Sequence, residues 1–122
     1  MSDTILAVDP GRYKSVACAY DRRTREHAFR TLDTTPADLG TLLARHPGVL
    51  VVIEACANAG WVHDHAVAAG HRVKVANTAA EAWKFTHLKR KTDRDDAKRL
   101  AELEAVGQLP TVCLPDPATR QR

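Results

Sequence analysis

Apolar and polar positions divide the chain into short elements that alternate along its length. The first third contains three apolar segments separated by polar turns, at residues 5–9, 15–20 and 26–32. Pro10 and Gly11 close the first segment, and both residues favour a turn. Three strands joined by such short links predict an antiparallel meander.

After residue 33 the apolar positions follow two other patterns: the spacing of amphipathic helices and the continuous runs of buried strands. Pro36, after Thr34 and Thr35, is typical of a first helical turn, and the leucines that follow supply an apolar face. The continuous apolar run of residues 49–55 is typical of a parallel strand that is buried on both faces. The remaining predicted elements are a helix at residues 60–69, a strand at 71–77 and helices at 79–85 and 92–107.

The resulting order of elements is β-β-β-α-β-α-β-α-α, which is the order of the ribonuclease-H-like fold. Because crossovers between parallel strands are right-handed, the fourth strand is predicted to lie parallel to the first and beside it. We therefore expect an α/β fold with a mixed five-stranded sheet and helices on its faces.

The composition is that of one globular domain. The chain has 122 residues, of which 44% are hydrophobic and 27% are charged, and both proportions are ordinary. No apolar run approaches the ~18 residues of a membrane span, and an acid stands near the N-terminus where a secretory signal would carry basic residues. A cytoplasmic protein without membrane contact is expected.

The cysteines and histidines predict neither a disulfide framework nor a zinc site. Cys18, Cys56 and Cys113 are odd in number, far apart and without a CxxC pair, so reduced thiols are expected. His63 and His65 are two positions apart, which places them on different sides of a helix. Nothing beside Cys56 in the sequence indicates an activated thiolate, so a packing role is predicted for it.

Two acids stand at the ends of predicted strands. Asp9 closes the first strand and Glu54 closes the fourth. If these strands are parallel neighbours about 4.8 Å apart, both acids reach the carboxyl edge of the sheet, where open α/β sheets place their sites. Glu54 is the more informative acid, because a carboxylate after a buried apolar run is costly without a partner. Asp9 is weaker evidence, since Asp-Pro-Gly is also an ordinary turn.

Three further acids lie at the start of the last predicted helix, in the segment KTDRDDAKRL. Thr92 as N-cap and Asp95 three residues later fit a capping box. Asp93 and Asp96 are spaced by three and share the face of the apolar residues that follow. On this pattern alone, capping and metal binding are equally supported. Glu54 and its neighbouring strand-end acid shift the balance to metal binding.

Four carboxylates at one edge are suited to a hard divalent cation. Mg²⁺ prefers oxygen ligands and keeps waters and substrate phosphates in its shell. Two such ions about 4 Å apart activate a nucleophile and stabilise the leaving oxygen in phosphodiester chemistry. The sequence therefore predicts a site for two Mg²⁺ ions, with Mn²⁺ as a substitute, built from Asp9, Glu54, Asp93 and Asp96.

The positive charge of the chain is concentrated beside these acids. Of its 18 Lys and Arg residues, seven lie within residues 84–99, together with three Asp. A local basic stripe is typical of contact with a nucleic-acid backbone, and an exposed, solvated face is an equally good interpretation. The residues predicted to contact nucleic acid are Lys89, Arg90, Lys91 and Arg94.

Four segments carry a resemblance to a known family: AVDPG, VVIEACANAGW, KVAN and KRKTDRDDAKRLAEL. Together they resemble the DEDD transposases of bacterial insertion sequences, which are relatives of the Piv-type DNA invertases. The N-terminal domain of that family is similar to the Holliday-junction resolvase RuvC. The Lys-Thr-Asp-x-x-Asp-Ala element is the most specific part, and the resemblance extends over essentially the whole chain.

The resemblance implies a set of site residues and an activity. Matched by motif, the four acids of the family are Asp9, Glu54, Asp93 and Asp96, and Asp95 is not one of them. Members rearrange DNA by strand cleavage and rejoining, and some are guided by an RNA that the element encodes. The implied cofactor is Mg²⁺, and the implied partners are DNA, a guide RNA in some members, and further copies of the chain.

The same resemblance implies a domain organisation. Residues 1–106 match the RuvC-like catalytic domain, and residues 107–122 form a proline-punctuated tail. In the family this tail leads to a coiled coil and a second domain with a catalytic serine. Asp116 and Pro117 look like a helix start, which also predicts that the chain is part of a longer protein. Complete recombination is expected to need the second domain.

Three other interpretations of the same residues stay open. A bare RuvC-like resolvase would share the acids and act on branched DNA, and a non-catalytic nucleic-acid-binding remnant would keep the acids without a competent site. An ATPase lobe of the actin and sugar-kinase type would turn residues 9–14 towards phosphate, but the chain is short for two lobes and lacks a second glycine-rich loop. Trp61 and Trp83 are predicted to pack rather than to stack on bases.

Overall fold

The three apolar segments of the first third form the predicted antiparallel meander. The computed structural model describes residues 3–77 and 93–112. Its first strands are β1 (Thr4–Pro10), β2 (Lys14–Asp21) and β3 (His27–Asp33). Val8 of β1 pairs with Ala17 of β2, and the strands are joined by the short links 11–13 and 22–26.

The rest of the described chain adds helices and parallel strands to this meander. These elements are α1 (Pro36–Arg45), β4 (Leu50–Glu54), α2 (Ala59–Ala68), β5 (Val73–Ala76), α3 (Asp93–Ala105) and β6 (Thr111–Val112). The strand order is β3-β2-β1-β4-β5-β6, with β4 parallel to β1 and β5 parallel to β4. The predicted α/β fold with a mixed sheet is confirmed, and β6 adds a two-residue antiparallel strand at the edge. None of the helices in the described ranges is long and apolar enough to cross a bilayer.

The central strand β1 is buried on both faces of the sheet. Leu6 and Val8 face the core formed with α1 and α2, and Ile5 and Ala7 face the core formed with α3. Successive side chains of a strand point to opposite faces, so a strand covered on both sides needs apolar residues at every position. This burial explains why β1 appears in the sequence as a continuous run.

Helix α1 begins where the sequence predicts. The Thr35 side chain accepts a hydrogen bond from the Asp38 N–H at 3.2 Å, and Pro36 is the first helical residue. The cap satisfies one of the backbone N–H groups that the first turn leaves without a helical partner. Leu39 and Leu42 then bury the apolar face of the helix against the sheet.

Helix α3 covers the opposite face of the sheet with its apolar stripe. Ala97, Leu100 and Ala101 are fully buried, in the core that β1 and β2 also form. The helix ends in a Schellman motif: Gly107 has a φ of +74°, and the Gln108 N–H donates to the carbonyl of the last turn at 2.9 Å. The left-handed glycine therefore explains why the helix stops at this point.

Glu104 is a carboxylate within the buried stripe of α3, and its cation comes from another element. The Lys74 ammonium on β5 donates to both Glu104 oxygens at 3.0 Å, and the Glu104 side chain is 9% exposed. A carboxylate this buried is costly without a cationic partner. The pair attaches the C-terminal half of α3 to the sheet and separates Glu104 from the acids at the other end of the helix.

Candidate metal centre

Three of the four acids predicted from the sequence meet at the carboxyl edge of the sheet. Asp9, Glu54 and Asp96 each offer a carboxylate oxygen, and these oxygens lie within 4.8 Å of one another. Asp9 and Asp96 are buried, with 9% and 6% of their surface exposed, and Glu54 is half-buried. The group joins residues that are far apart in sequence into one acidic pocket.

The register of β1 and β4 brings the first two acids together. Val8 pairs with Ile53 across the parallel strands, so the next residues, Asp9 and Glu54, stand side by side where the strands end. Val8 and Ile53 face the core under α1 and α2. Because side chains alternate along a strand, the two acids face the other side of the sheet, which α3 covers.

Helix α3 supplies the third acid from its first turns. Asp96 precedes the fully buried Ala97 and Leu100 on the face turned towards the sheet. Asp93 is the first residue of α3, three residues or about 4.5 Å of helix rise before Asp96. Its side chain lies outside the described part of the structure, so its role as a fourth ligand stays a prediction.

The other predicted contacts of this segment also fall outside the described side chains. Lys89, Arg90 and Lys91 lie in residues 78–92, and Arg94 is described only through its place in α3. The same holds for the capping box of Thr92 and Asp95, for Trp83 and for the helix predicted over residues 79–85. Nucleic-acid contact by the four basic residues therefore stays a prediction.

Hydrogen bonds between two loops hold the strand ends that carry Asp9 and Glu54. The Asn58 amide, in the loop after β4, donates to the Gly11 carbonyl at 3.1 Å, in the turn after β1. Trp61 fixes that amide from α2, because its indole N–H donates to the Asn58 side-chain oxygen at 3.0 Å. Sequence reasoning assigned Trp61 to packing but missed Asn58, whose only signal was its spacing of three from the tryptophan.

Cys56 belongs to the same loop contact and is exposed, which corrects the packing role predicted for it. Its thiol donates to the Pro10 carbonyl at 3.6 Å. The residue as a whole is exposed, but the thiol at this contact is partly desolvated, which raises its pKa, and the nearby charges of Glu54 and Asp9 also raise it. The raised pKa favours the protonated thiol, so a nucleophilic thiolate is disfavoured at Cys56.

The turn after β1 tolerates only glycine at position 11. A Cβ added to Gly11 would lie 2.1 Å from the Lys14 carbonyl oxygen. We expect Gly11→Ala to lower the free energy of unfolding by about 1–3 kcal/mol, because the turn must open to relieve the clash. Chemical denaturation measures the loss.

Gly40 provides the matched control for this substitution. It lies inside α1, where an added Cβ meets nothing within 4 Å. Gly40→Ala is expected to raise the free energy of unfolding by about 0.5–1 kcal/mol, since alanine is the better helix former. Equal effects of the two substitutions would contradict the close approach at Gly11.

The electrostatics of the acidic pocket favour a cation. At an effective dielectric constant of 20, two charges 4 Å apart repel each other by about 4 kcal/mol. Three carboxylates in a partly buried site therefore destabilise the fold unless positive charge compensates them. The donors are all carboxylate oxygens, which fits the hard ions Mg²⁺ and Mn²⁺ better than the softer ions that thiolate and imidazole ligands select.

Comparison with known proteins supports the fold. No protein-family model matches the chain, and no curated protein matches it. A solved structure described as that of RuvC from Thermus thermophilus is similar, with a TM-score of 0.56 and 13% sequence identity. The match covers 89% of this chain and 99% of that chain. At this level of identity the likeness shows the fold, and the chain has the RuvC-like, ribonuclease-H-like fold that its sequence predicts.

Proposed function

We propose that this chain is a metal-dependent, nuclease-type domain that acts on nucleic acid, with Asp9, Glu54, Asp93 and Asp96 as its acidic ligands. The observation that carries the proposal is the meeting of carboxylates from β1, β4 and α3 within 4.8 Å. They meet on a RuvC-like fold, at the edge where open α/β sheets place their sites. Mg²⁺ is the proposed ion, with Mn²⁺ as its substitute.

The acids differ in burial, and this difference suggests different roles. Asp9 and Asp96 are buried and are fixed by a central strand and a packed helix, so they anchor the bound ion. Glu54 is half-buried, so in this proposal it is the acid that an approaching phosphodiester reaches. Bound divalent ions supply Lewis-acid activation of the attacking and leaving oxygens in such a site. Asp93 is proposed as the fourth ligand because it precedes Asp96 by three residues, the spacing of side chains that share a helical face.

Within this class we infer a DNA transposase of the insertion-sequence type, related to the Piv-type invertases. The support is the segment KTDRDDA at residues 91–97, whose Asp96 belongs to the acidic pocket while Asp93 precedes it by one turn. In this proposal residues 1–106 are the catalytic domain. Residues 107–122 lead to a coiled coil and to a second domain with the serine used in recombination.

The transposase proposal also specifies partners and surroundings. DNA is the substrate of cleavage and rejoining, further copies of the chain assemble with it, and the reaction takes place in the cytoplasm. A guide RNA is a further partner if the chain is one of the RNA-guided members. The proposed backbone contacts are Lys89, Arg90, Lys91 and Arg94, since the chain's positive charge is concentrated there and basic side chains bind phosphates.

A RuvC-like resolvase is the second candidate function. The observation in its favour is that the match covers 99% of the RuvC chain and 89% of this chain. Nearly all of the RuvC chain therefore has a structural counterpart in this chain. A resolvase of this kind would act on branched DNA without a further domain.

Strand cleavage of DNA tests both candidates. We expect the chain to nick DNA in Mg²⁺ or Mn²⁺ and to be inactive in a chelator. Paired cuts at a four-way junction by this chain alone would favour the resolvase, and nicking without preference for the junction would favour the transposase. DNA binding without cleavage in either ion would contradict both candidates and identify a non-catalytic remnant.

A further inference from the structure

A groove on the α3 side of the molecule lies outside the acidic pocket. It runs between α3 and the hairpin of β2 and β3 and encloses about 360 Å³. Its polar and charged lining residues are Tyr20, Arg22, Arg25, His27, Lys98 and Glu102. The stacked rings of Tyr20 and His27, 6.4 Å apart, stand at the hairpin side.

The groove carries an excess of positive charge. Arg22, Arg25 and Lys98 contribute three cations against the one carboxylate of Glu102. Among the carboxylates whose side chains the structure describes, none lies within ion-pair distance of these three cations. By contrast, the neighbouring Arg23 lies 3.8 Å from Asp3. Within the described side chains, the cations of the groove are therefore not neutralised by an ion pair, which favours an anionic ligand.

The backbone of Arg25 gives a second and independent reason to assign a role to its side chain. In the described ranges, Arg25 is the one non-glycine residue with a positive φ, at 66°. It ends a four-residue hairpin loop in which its N–H donates to the Asp21 carbonyl at 2.7 Å. Glycine or asparagine fits such a position without the penalty that a larger side chain meets there. An arginine held in this conformation points to a use for its guanidinium group.

The remaining contacts of the loop show that its shape does not need the arginine side chain. The Asp21 carboxylate accepts the N–H groups of Arg23 at 2.8 Å and Thr24 at 3.1 Å. These hydrogen bonds, from Thr24 first and then Arg23, hold the pKa of Asp21 below its usual value. The Thr24 hydroxyl in turn accepts the Glu26 N–H at 3.2 Å. The hairpin therefore presents Arg25 on a fixed support.

We infer that this groove binds the phosphate backbone of the nucleic acid on which the domain acts, a few nucleotides from the acidic pocket. The inference rests on the proposed function. Lys98 follows Asp96 by two residues, and the groove continues along α3 to its last residue, Ala105, about 10 Å further along the helix axis. This length corresponds to about three nucleotides at about 3.4 Å each. Arg22, Arg25 and Lys98 thus contact phosphates within a few nucleotides of the one that is cleaved.

Arg25→Gly tests the groove, because it is expected to weaken DNA binding without lowering the stability of the fold. The substitution removes one groove cation and places glycine where the backbone favours it, so Tm is expected to stay the same or to rise. Affinity for a fluorescent DNA duplex, measured by anisotropy in a chelator, is expected to fall by about 3- to 10-fold. The slope of log affinity against log salt is expected to become shallower by about one.

Arg45→Ala is the matched control, because it removes an exposed arginine from the last turn of α1, on the other side of the sheet. It is expected to bind DNA as the native chain does. Native DNA affinity and a native salt slope in Arg25→Gly would overturn the groove assignment. Tighter binding of the native chain to polyglutamate, an anionic polymer without phosphate, than to DNA would overturn it as well. If the native chain binds DNA and Mn²⁺, and Arg25→Gly binds both with native affinity, the groove assignment is wrong and the proposed function still stands. A native chain without Mn²⁺-dependent cleavage refutes the proposed function.

Discussion

Asp96→Asn is expected to lower metal-dependent DNA cleavage by more than about 100-fold. Residues that only support metal ligands are commonly worth about 10- to 100-fold, and Asp96 contributes its own oxygen to the group within 4.8 Å. The amide keeps the size of the side chain but removes the charge that binds the ion. DNA affinity measured in a chelator is expected to be unchanged or slightly higher, because one negative charge is lost near the substrate.

Asp95→Asn is the control for this effect, since it makes the same change one residue earlier on α3. Asp95 fits the capping box of the sequence, so its loss is expected to affect the stability of the helix start and to leave cleavage near the native rate. Equal loss of activity in the two variants would contradict the assignment of Asp96. Cleavage retained in Asp96→Asn would contradict it as well.

Glu54→Gln is expected to be more stable than the native chain without divalent ions and less stable than the native chain with them. In a chelator the variant is expected to be more stable than the native chain by about 1–2 kcal/mol, because one of three repelling charges is removed. In excess Mn²⁺ the native chain is expected to gain about 2.7 kcal/mol when the ion is at 100 times its Kd, and the variant to gain little. Thermal denaturation in both conditions measures this reversal, in which the variant is the more stable chain in a chelator and the less stable chain in Mn²⁺.

Glu26→Gln tests whether the reversal of relative stability is specific to a charge in the acidic pocket. It removes the same charge from the exposed loop between β2 and β3, far from the carboxyl edge of the sheet. Its stability is expected to follow that of the native chain in both conditions. A Glu54→Gln variant that is less stable than the native chain in a chelator and gains as much from Mn²⁺ would contradict the metal site.

The sheet could be predicted from the sequence because its signals are local. The continuous run of β4 and the short links of the meander depend on neighbouring residues, and right-handed crossovers then place β4 beside β1. The strand β6 could not be predicted in this way. Thr111 and Val112 follow the proline of a polar tail, and their strand exists only because the edge of β5 offers backbone partners.

The acidic pocket was predictable for a similar reason, and its surroundings were not. Asp9 and Glu54 follow from the positions of two strand ends, and Asp96 follows from the helical period. Glu104 stands on the same stripe, yet its role depends on Lys74, which lies 30 residues away in sequence. The Asn58 contact joins loops that are 47 residues apart, and no local pattern encodes such a pairing.

Mn²⁺ binding measured by calorimetry shows whether Asp9, Glu54 and Asp96 form a metal site. The native chain is expected to bind the ion, Glu54→Gln to lose at least about 10-fold in affinity, and Asp95→Asn to bind as the native chain does. This result would identify the acids of β1, β4 and α3 as a metal site. Absence of binding by the native chain, or native affinity in Glu54→Gln, would show that these acids do not form a metal site.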